Sequence, residues 1–537
     1  MSAVAASSSD IAAPRAINPW LVAAAVVVPT FMEVLDTTIA NVALRYIAGG
    51  LSSPATDSEW VITSYLAANA IILPISGWLA SYLGRRNYFL ISIGLFTIAS
   101  GLCGMSTSLN ALILFRVIQG LAGGGLQPCS QGILLDAFPP SKQGAAMTVF
   151  GIAALIAPVV GPTLGGWITD HYEWRWIFYL NIPVGLVALL ACRLLVVDPD
   201  YLQKQKAKLR SGPLRFDTIG LCLLSLTMAS WEIMLSKGQE WDWLGDPFWR
   251  VQTLLVVFGL CLGGLILREL KTKTPIINFR VLKERNFRAC CIIIACAYAV
   301  LYANTTSLPG MLQSLFGYDA TTSGLVLSPA GLFAIMTLLV VGILLGKQVD
   351  ARKVMAAGLI VLGLGNFWLS QLNLQISPWQ VVWPRSVLIM GLAMIFAPLN
   401  VAAFLYIPPE LRGAAVGLLA LVRNEGGSVG TSIAQTILER REQFHALRLG
   451  EKIDAFNPAV ASVLHQGQQF YLQQTGDLPA SAQIALRSLA AMRDRQATSL
   501  AYFDIFFLSG VLAVSLVFLV FLMRKSVAAK GAHVAAE

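Results

Sequence analysis

The sequence predicts an all-α polytopic membrane protein of fourteen transmembrane helices, built as two six-helix bundles plus two inserted central helices. Three observations carry that prediction. Hydrophobic residues fill 56% of the 537 positions and charged residues only 12%, against roughly 25% charged in an ordinary soluble domain. Apolar runs of about 20 residues, the length that crosses a bilayer as a helix, recur along the whole chain. They are too long for outer-membrane strands of roughly 10 alternating residues, and helices satisfy their own backbone polar groups in lipid. The cations gather in alternate loops: Arg85 and Arg86; Lys204 through Arg215; Arg268 through Arg288. That asymmetry places these loops in the cytoplasm and explains the net charge of +9 without nucleic acid.

The elements follow in order. A cytoplasmic N-terminal tail (1–19), with no signal-peptide cleavage pattern, precedes the N-terminal bundle (20–197). Its spans lie near 20–44, 60–80, 88–107, 111–134, 144–168 and 175–197. A cytoplasmic linker (198–216) leads to the two inserted helices (217–268) and a basic cytoplasmic loop (269–288). The C-terminal bundle (289–523) has spans near 289–308, 322–345, 354–373, 379–405, 414–439 and 501–523, then a cytoplasmic tail (524–537). An even count returns both termini to the cytoplasm, and Arg352, Lys353, Arg412, Arg524 and Lys525 fall on that side. The polar stretch 440–500, with apolar residues at helical spacing and breaks at Asn457-Pro458 and Gly476 to Pro479, reads as an extracytoplasmic helical hairpin. It serves either as a solvated cap or as a docking point for another protein.

A short echo links the two halves. Gly77 to Arg86 (GWLASYLGRR) joins spans two and three, and Gly342 to Lys353 (GILLGKQVDARK) holds the matching place in the second half. Gly77, Gly84, Arg85 and Arg86, with Asp350 and Arg352, are therefore candidates for a conformational contact, and the echo supports duplication. A tight basic loop explains each of them equally well alone.

Ionisable groups inside a span are costly and mark functional sites. In span one, Glu33 and Asp36 stand three residues apart on one helical face. Both facing a cavity, they suit groups that bind and release protons; alternatively, Asp36 only bonds a neighbouring helix. Arg116, in span four, needs an anionic or carbonyl partner, and a transient pair with Asp36 would couple protonation to shape. Glu425 is a further proton or cation candidate. Asn41, Gln119, Gln127 and Glu232 are the polar side chains placed to meet substrate, although Glu232 can also snorkel to the surface. Gly161, Pro162, Gly165 and Gly166 kink span five and let a partner approach.

Other chemistries are excluded on composition. The eight cysteines all fall in apolar spans and the four histidines are scattered, so neither disulfides, a metal site nor a haem is expected. No Walker A sequence or selectivity-filter loop is present, which disfavours an ATPase and a channel. The expectation is a non-enzymatic transporter with no cofactor, driven by a proton gradient.

Taken together, these motifs resemble the major facilitator superfamily, specifically its fourteen-span drug/proton antiporters of the EmrB and QacA type. Leu35 to Leu44 is similar to that family's first-helix motif, and Arg116 with Gln119-Gly120 to its fourth-helix proton-coupling motif. Gly161-Pro162 with Gly165-Gly166 resembles the fifth-helix motif of exporters, and Trp174 to Gly185 the start of its sixth helix. Two positions depart from the pattern. Ser81 stands where the family usually has an aspartate, which shifts the cytoplasmic latch onto Arg85, Arg86 and helix-end dipoles, and Arg45 stands where the first-helix motif often has proline.

The resemblance implies a major facilitator fold and proton-coupled export of hydrophobic or amphipathic drugs by rocking of the two bundles. It places the chain in a bacterial inner membrane. The long hairpin is similar to the Emr branch, which implies a periplasmic membrane-fusion adaptor and an outer-membrane channel as partners. Two rival readings remain at this point: a proton-coupled metabolite or nutrient transporter of the same fold, which the exporter-type Gly161 to Gly166 motif opposes, and a non-transporting receptor or scaffold, for which Asp36 and Arg116 would be dispensable.

Overall fold

A computed structural model describes residues 18–139, 142–199, 201–203, 206–207, 217–272, 275–408, 411–454 and 456–527. The expected N-terminal tail, most of the 198–216 linker and the end of the C-terminal tail lie outside these described residues. Each apolar run forms a helix. The first half holds α1 (Pro19–Gly50), α2 (Trp60–Leu83), α3 (Arg85–Gly104), α4 (Leu109–Ala137), α5 (Gln143–His171) and α6 (Trp176–Leu195). The insertion is α7 (Thr218–Lys237) and α8 (Arg250–Lys271). The second half holds α9 (Arg285–Phe316), α10 (Thr321–Gly346), α11 (Ala351–Ser370), α12 (Pro378–Phe404) and α13 (Arg412–Gly450). It closes with α14 (Pro458–Thr475) and α15 (Leu478–Phe521).

Thirteen of these helices, α1 to α12 and α15, are long and apolar enough to cross a membrane. The fourteenth, α13, has the length, 39 residues, but carries Arg423 and Glu425 in its middle; it tolerates them because it packs inside the bundle against α2, α9 and α15.

The polar stretch 440–500 is helical, and its outer parts are continuous with the neighbouring spans. α13 runs unbroken from its span through Gly450, and α15 starts at Leu478 and continues into the last span. The intervening Ala, Leu, Gln and Arg residues all favour helix, so nothing stops either one at the membrane surface. The chain breaks instead where Asn457 caps α14, accepting from the Ala459 amide at 3.1 Å, and where Gly476 adopts φ 66° after it.

Close glycine-mediated crossings occur in both halves. α5 crosses α1 where a Cβ on Gly161 would come 2.1 Å from Thr38 Oγ1. α13 crosses α9 where a Cβ on Gly426 would come 2.2 Å from the Ala295 carbonyl oxygen. Each contact is extended by a glycine four residues later, Gly165 against Ile39 and Gly430 against Ala299. The inserted helices sit outside this pattern. α7 wedges between α2 and α13, whereas α8 lies on the periphery, stacking Phe258 on Trp231 at 4.7 Å and exposing Leu255, Val256, Leu260 and Leu267.

One face of the molecule is sealed, and it carries the arginine loops. There Gly77 approaches Gly413, Gln131 Nε2 donates to Asn400 Oδ1 at 3.0 Å, and Phe150 stacks on Phe396 at 6.2 Å, all joining one half to the other. Gly84 takes φ 88°, conformational space that favours glycine, so that the chain turns sharply between α2 and α3. Arg85 then pairs with Asp136 at the end of α4, and the Arg86 amide donates to Asp198 at 2.7 Å. In the second half, Asp350 caps α11, pairs with Arg352 at 2.8 Å and accepts from the Ser526 amide at 3.2 Å.

Candidate functional site

Glu33 and Asp36 start from the same helix and part company. Three residues along a helix leave two side chains about 60° apart, and here that angle separates two environments. Asp36 points into the first half. Its Oδ2 accepts from Arg116 Nη1 at 2.5 Å, and its Oδ1 from Gln119 Nε2 at 3.0 Å and Asn181 Nδ2 at 2.8 Å. Arg116 is fully buried, and its Nε donates to the Val61 carbonyl at 3.0 Å. Its guanidinium lies 4.1 Å over the Tyr65 ring, while Nη2 has no hydrogen-bond partner. The ion pair is thus sealed in protein and held by three helices besides α1, namely α2, α4 and α6.

Glu33 points instead into a cavity of about 460 Å³ between the two halves. It accepts from Gln127 Nε2 at 2.5 Å and Asn69 Nδ2 at 3.1 Å. Gln127 in turn accepts from Arg423 of α13, so the chain Glu33, Gln127, Arg423 crosses from one bundle to the other. The cavity runs from Glu33 and Gln127 at its depth to Arg45, Glu59 and Glu439 at its rim, and so opens on the face that carries α14.

The other sequence-predicted residues divide between these places. Asn41 and Glu232 line the cavity. Glu232 is buried and accepts from Ser428 Oγ at 2.9 Å, so it does not snorkel to the surface. Glu425 lies near Glu232 with both oxygens shielded from solvent. Gln119 belongs with Asp36 rather than with the cavity, because it stands on the face of α4 that also carries Arg116, whose Nη1 donates to its Oε1 at 2.8 Å. Gly161, Pro162, Gly165 and Gly166 lie in α5, and Pro162 reaches the cavity wall. Ser81 spends its hydroxyl on the Gly77 carbonyl of its own helix at 3.0 Å.

Several residues that complete the site were not singled out in the sequence. Tyr65 and Asn69 were legible only as polar residues interrupting an apolar run, and Asn181 only as part of the Trp174 to Gly185 motif, with no role of its own. Asp136 sits in the last turn of α4, where the helix dipole disfavours an acid, and Arg85 supplies the missing counter-charge. Arg385, buried in α12, is a charge inside the span expected near 379–405, which is the signal that could have found it.

Comparison with known proteins agrees with this architecture. The Major Facilitator Superfamily sequence profile matches residues 27–431. The chain is 35% identical to the multidrug export protein EmrB of Escherichia coli over 504 residues, 94% of each chain. It is 33% identical to the fatty acid resistance protein FarB of Neisseria gonorrhoeae, covering 82% of this chain and 85% of that one. The crystal structure of the human organic anion transporter MFSD10 shares the fold, with a TM-score of 0.52 at 13% identity, over 93% of this chain and 100% of that one. The chain belongs to the major facilitator superfamily and, within it, to the family of EmrB-type multidrug export proteins.

Proposed function

We propose that this protein exports hydrophobic and amphipathic small molecules, drugs among them, in exchange for protons, by alternating access of the cavity between its two halves. The names of its EmrB relatives support drug export. The observation that carries proton coupling is the Asp36–Arg116 ion pair, sealed from solvent inside a helix bundle. Removing the charge of one partner strands the other, and a stranded buried charge costs about 3–5 kcal/mol. A proton on Asp36 therefore favours a different packing of α1 on α4. Both helices also bear on the cavity through Glu33 and Gln127, and Gln127 contacts α13 of the other half. Through that chain the protonation state of Asp36 acts on which face of the cavity is open.

By the positive-inside rule the sealed arginine face is cytoplasmic, as are both termini, and the membrane is a bacterial inner membrane. The cavity then faces outward here. Substrate enters from the cytoplasm or the inner leaflet in the opposite state and meets Glu33, Asn41, Gln127 and Glu232. The polar ends of α13 and α15 with α14 provide a platform for a periplasmic membrane-fusion adaptor, which would pass substrate to an outer-membrane channel. No cofactor is needed beyond the gradient.

The test uses everted vesicles holding a proton gradient, with a pH-sensitive dye and added tetraphenylphosphonium or an uncoupler-type weak acid. Wild type should release protons on addition and Asp36→Asn should not. A folded wild-type protein that responds to no compound of either class would remove drug antiport as the reading.

A further inference from the structure

Glu232 and Glu425 come from different elements and meet away from the Asp36 cluster. Along α13, Glu425, Ser428 and Ser432 recur at helical spacing on the face that meets α7. Ser428 Oγ donates to Glu232 at 2.9 Å, and Ser432 Oγ to the Leu235 carbonyl at 2.6 Å, which fixes the register of the two helices. Glu425 lies one turn from Ser428, beside Trp231, and both of its carboxylate oxygens are closed off from solvent. Glu232 has the cavity on its other side.

No cation neutralises the pair among the described residues. Arg423 turns to Gln127 and to the Tyr298 ring, and Lys237 pairs with Glu59 at 3.1 Å and Glu240 at 2.6 Å. From the packed helices, α2 brings Tyr65 and Tyr82 and no charge within its span, and α9 brings Tyr298 and Tyr302. α8 keeps Arg250, Arg268, Glu269 and Lys271 at its ends and Cys261 in its middle. α15 brings Tyr502 and Asp504, the latter held by Arg441 at 2.5 Å and His445 at 2.8 Å. Across the cavity stands Glu33.

We propose that Glu232 and Glu425 form a second proton-binding site, at which the inserted helix α7 and the C-terminal bundle hold one proton between them. Two neighbouring buried carboxylates, without a cation, cannot both readily remain charged. The proton arrives from cavity water at Glu232, is shared with Glu425, and leaves by the same route. The sealed oxygens of Glu425 admit a proton and exclude a drug-sized cation. The inserted helix thereby joins the coupling machinery rather than only filling the space between α2 and α13. That role in transport rests on the proton-driven reading above; the site itself does not.

The test is infrared spectroscopy of the full-length protein in lipid, following the carbonyl stretch of protonated carboxyl groups through a pH titration. At pH 7, Glu232→Gln/Glu425→Gln should lack about one protonated carboxyl relative to wild type. Either single substitution should turn a two-step titration into one step. A double variant whose band matches wild type at every pH overturns the site and leaves drug antiport standing. A lost band, with no drug-driven proton release from wild type, does the reverse. Should the glutamine variants not fold, Glu232→Asp retains the charge, and a displaced band supports the site while an unmoved one overturns it.

Discussion

The two halves of this molecule share a framework and differ in charge. Arg116 and Arg385 are each the eighth residue of their helix, counted from Leu109 and Pro378, and both are buried. In the first half, Arg116 has a carboxylate at 2.5 Å. In the second, Nε and Nη1 of Arg385 have no hydrogen-bond partner. Where α1 carries Asp36, α9 carries Asn304, which donates to the Val300 carbonyl at 2.8 Å and to Asn366 Oδ1 at 3.0 Å. Each half has a glycine-mediated helix crossing, but only the first has a carboxylate against its buried arginine. At the two buried arginines, therefore, only the first half has an acid whose charge a proton can remove.

The largest effect that would break this comparison falls on the two arginines. Arg116→Leu leaves Asp36 buried without its counter-charge and should cost about 3–5 kcal/mol. Arg385→Leu removes a buried cation that has no carboxylate partner and should leave stability unchanged or raise it by about 1–3 kcal/mol. Thermal melting of both variants in detergent checks this, and equal destabilisation would show the halves to be alike.

The glycine crossings give a middle-sized contrast. At Gly161 an added methyl meets the Thr38 hydroxyl, which can rotate, and Thr38 Cβ at 2.7 Å, with Ile39 N next at 3.5 Å. At Gly426 it meets the carbonyl oxygen, Cα and carbonyl carbon of Ala295 within 2.7 Å. Gly426→Ala should therefore cost about 1–3 kcal/mol and Gly161→Ala less, because a side chain moves more readily than two packed backbones. Melting temperatures and yields of the two variants decide it.

The smallest effect sharpens the place of the insertion. In the loop between α7 and α8, Arg250 hydrogen-bonds Asp246, with help from the Phe248 and Arg250 amides at 3.0 and 2.7 Å. These bonds hold its carboxyl well below the usual carboxylate range. A lowered value means that the contribution is present above the usual range and is lost as pH falls through the lower one. Asp246→Asn should speed hydrogen exchange in residues 238–250 at pH 7, and the difference from wild type should shrink in strong acid.

Most of the fold was legible because a membrane helix announces itself by length and apolarity. α13 was legible too, although Arg423 and Glu425 dilute its run, since its flanks remain apolar. The extent of α13 and α15 beyond the membrane was not, because a helix that leaves lipid loses its apolar signal without losing its backbone pattern. In the site, Glu33, Asp36 and Arg116 stood out as charges in apolar context. Their separation into a cavity group and a sealed pair did not, since a 60° difference in direction matters only once neighbouring helices are placed. Arg385 lies within the span expected near 379–405 but was not singled out there; Pro378 opens α12 at its first turn, and Pro384 lies inside the helix just before Arg385.

The most direct measurement compares proton-driven transport with substrate exchange for Asp36→Asn in proteoliposomes, using labelled tetraphenylphosphonium as the probe. An amide retains the shape of Asp36 and cannot take up a proton, so exchange should persist while gradient-driven accumulation falls at least tenfold. Asp36→Asn protein that still concentrates the probe with a proton gradient would contradict the assignment of Asp36 as the coupling group.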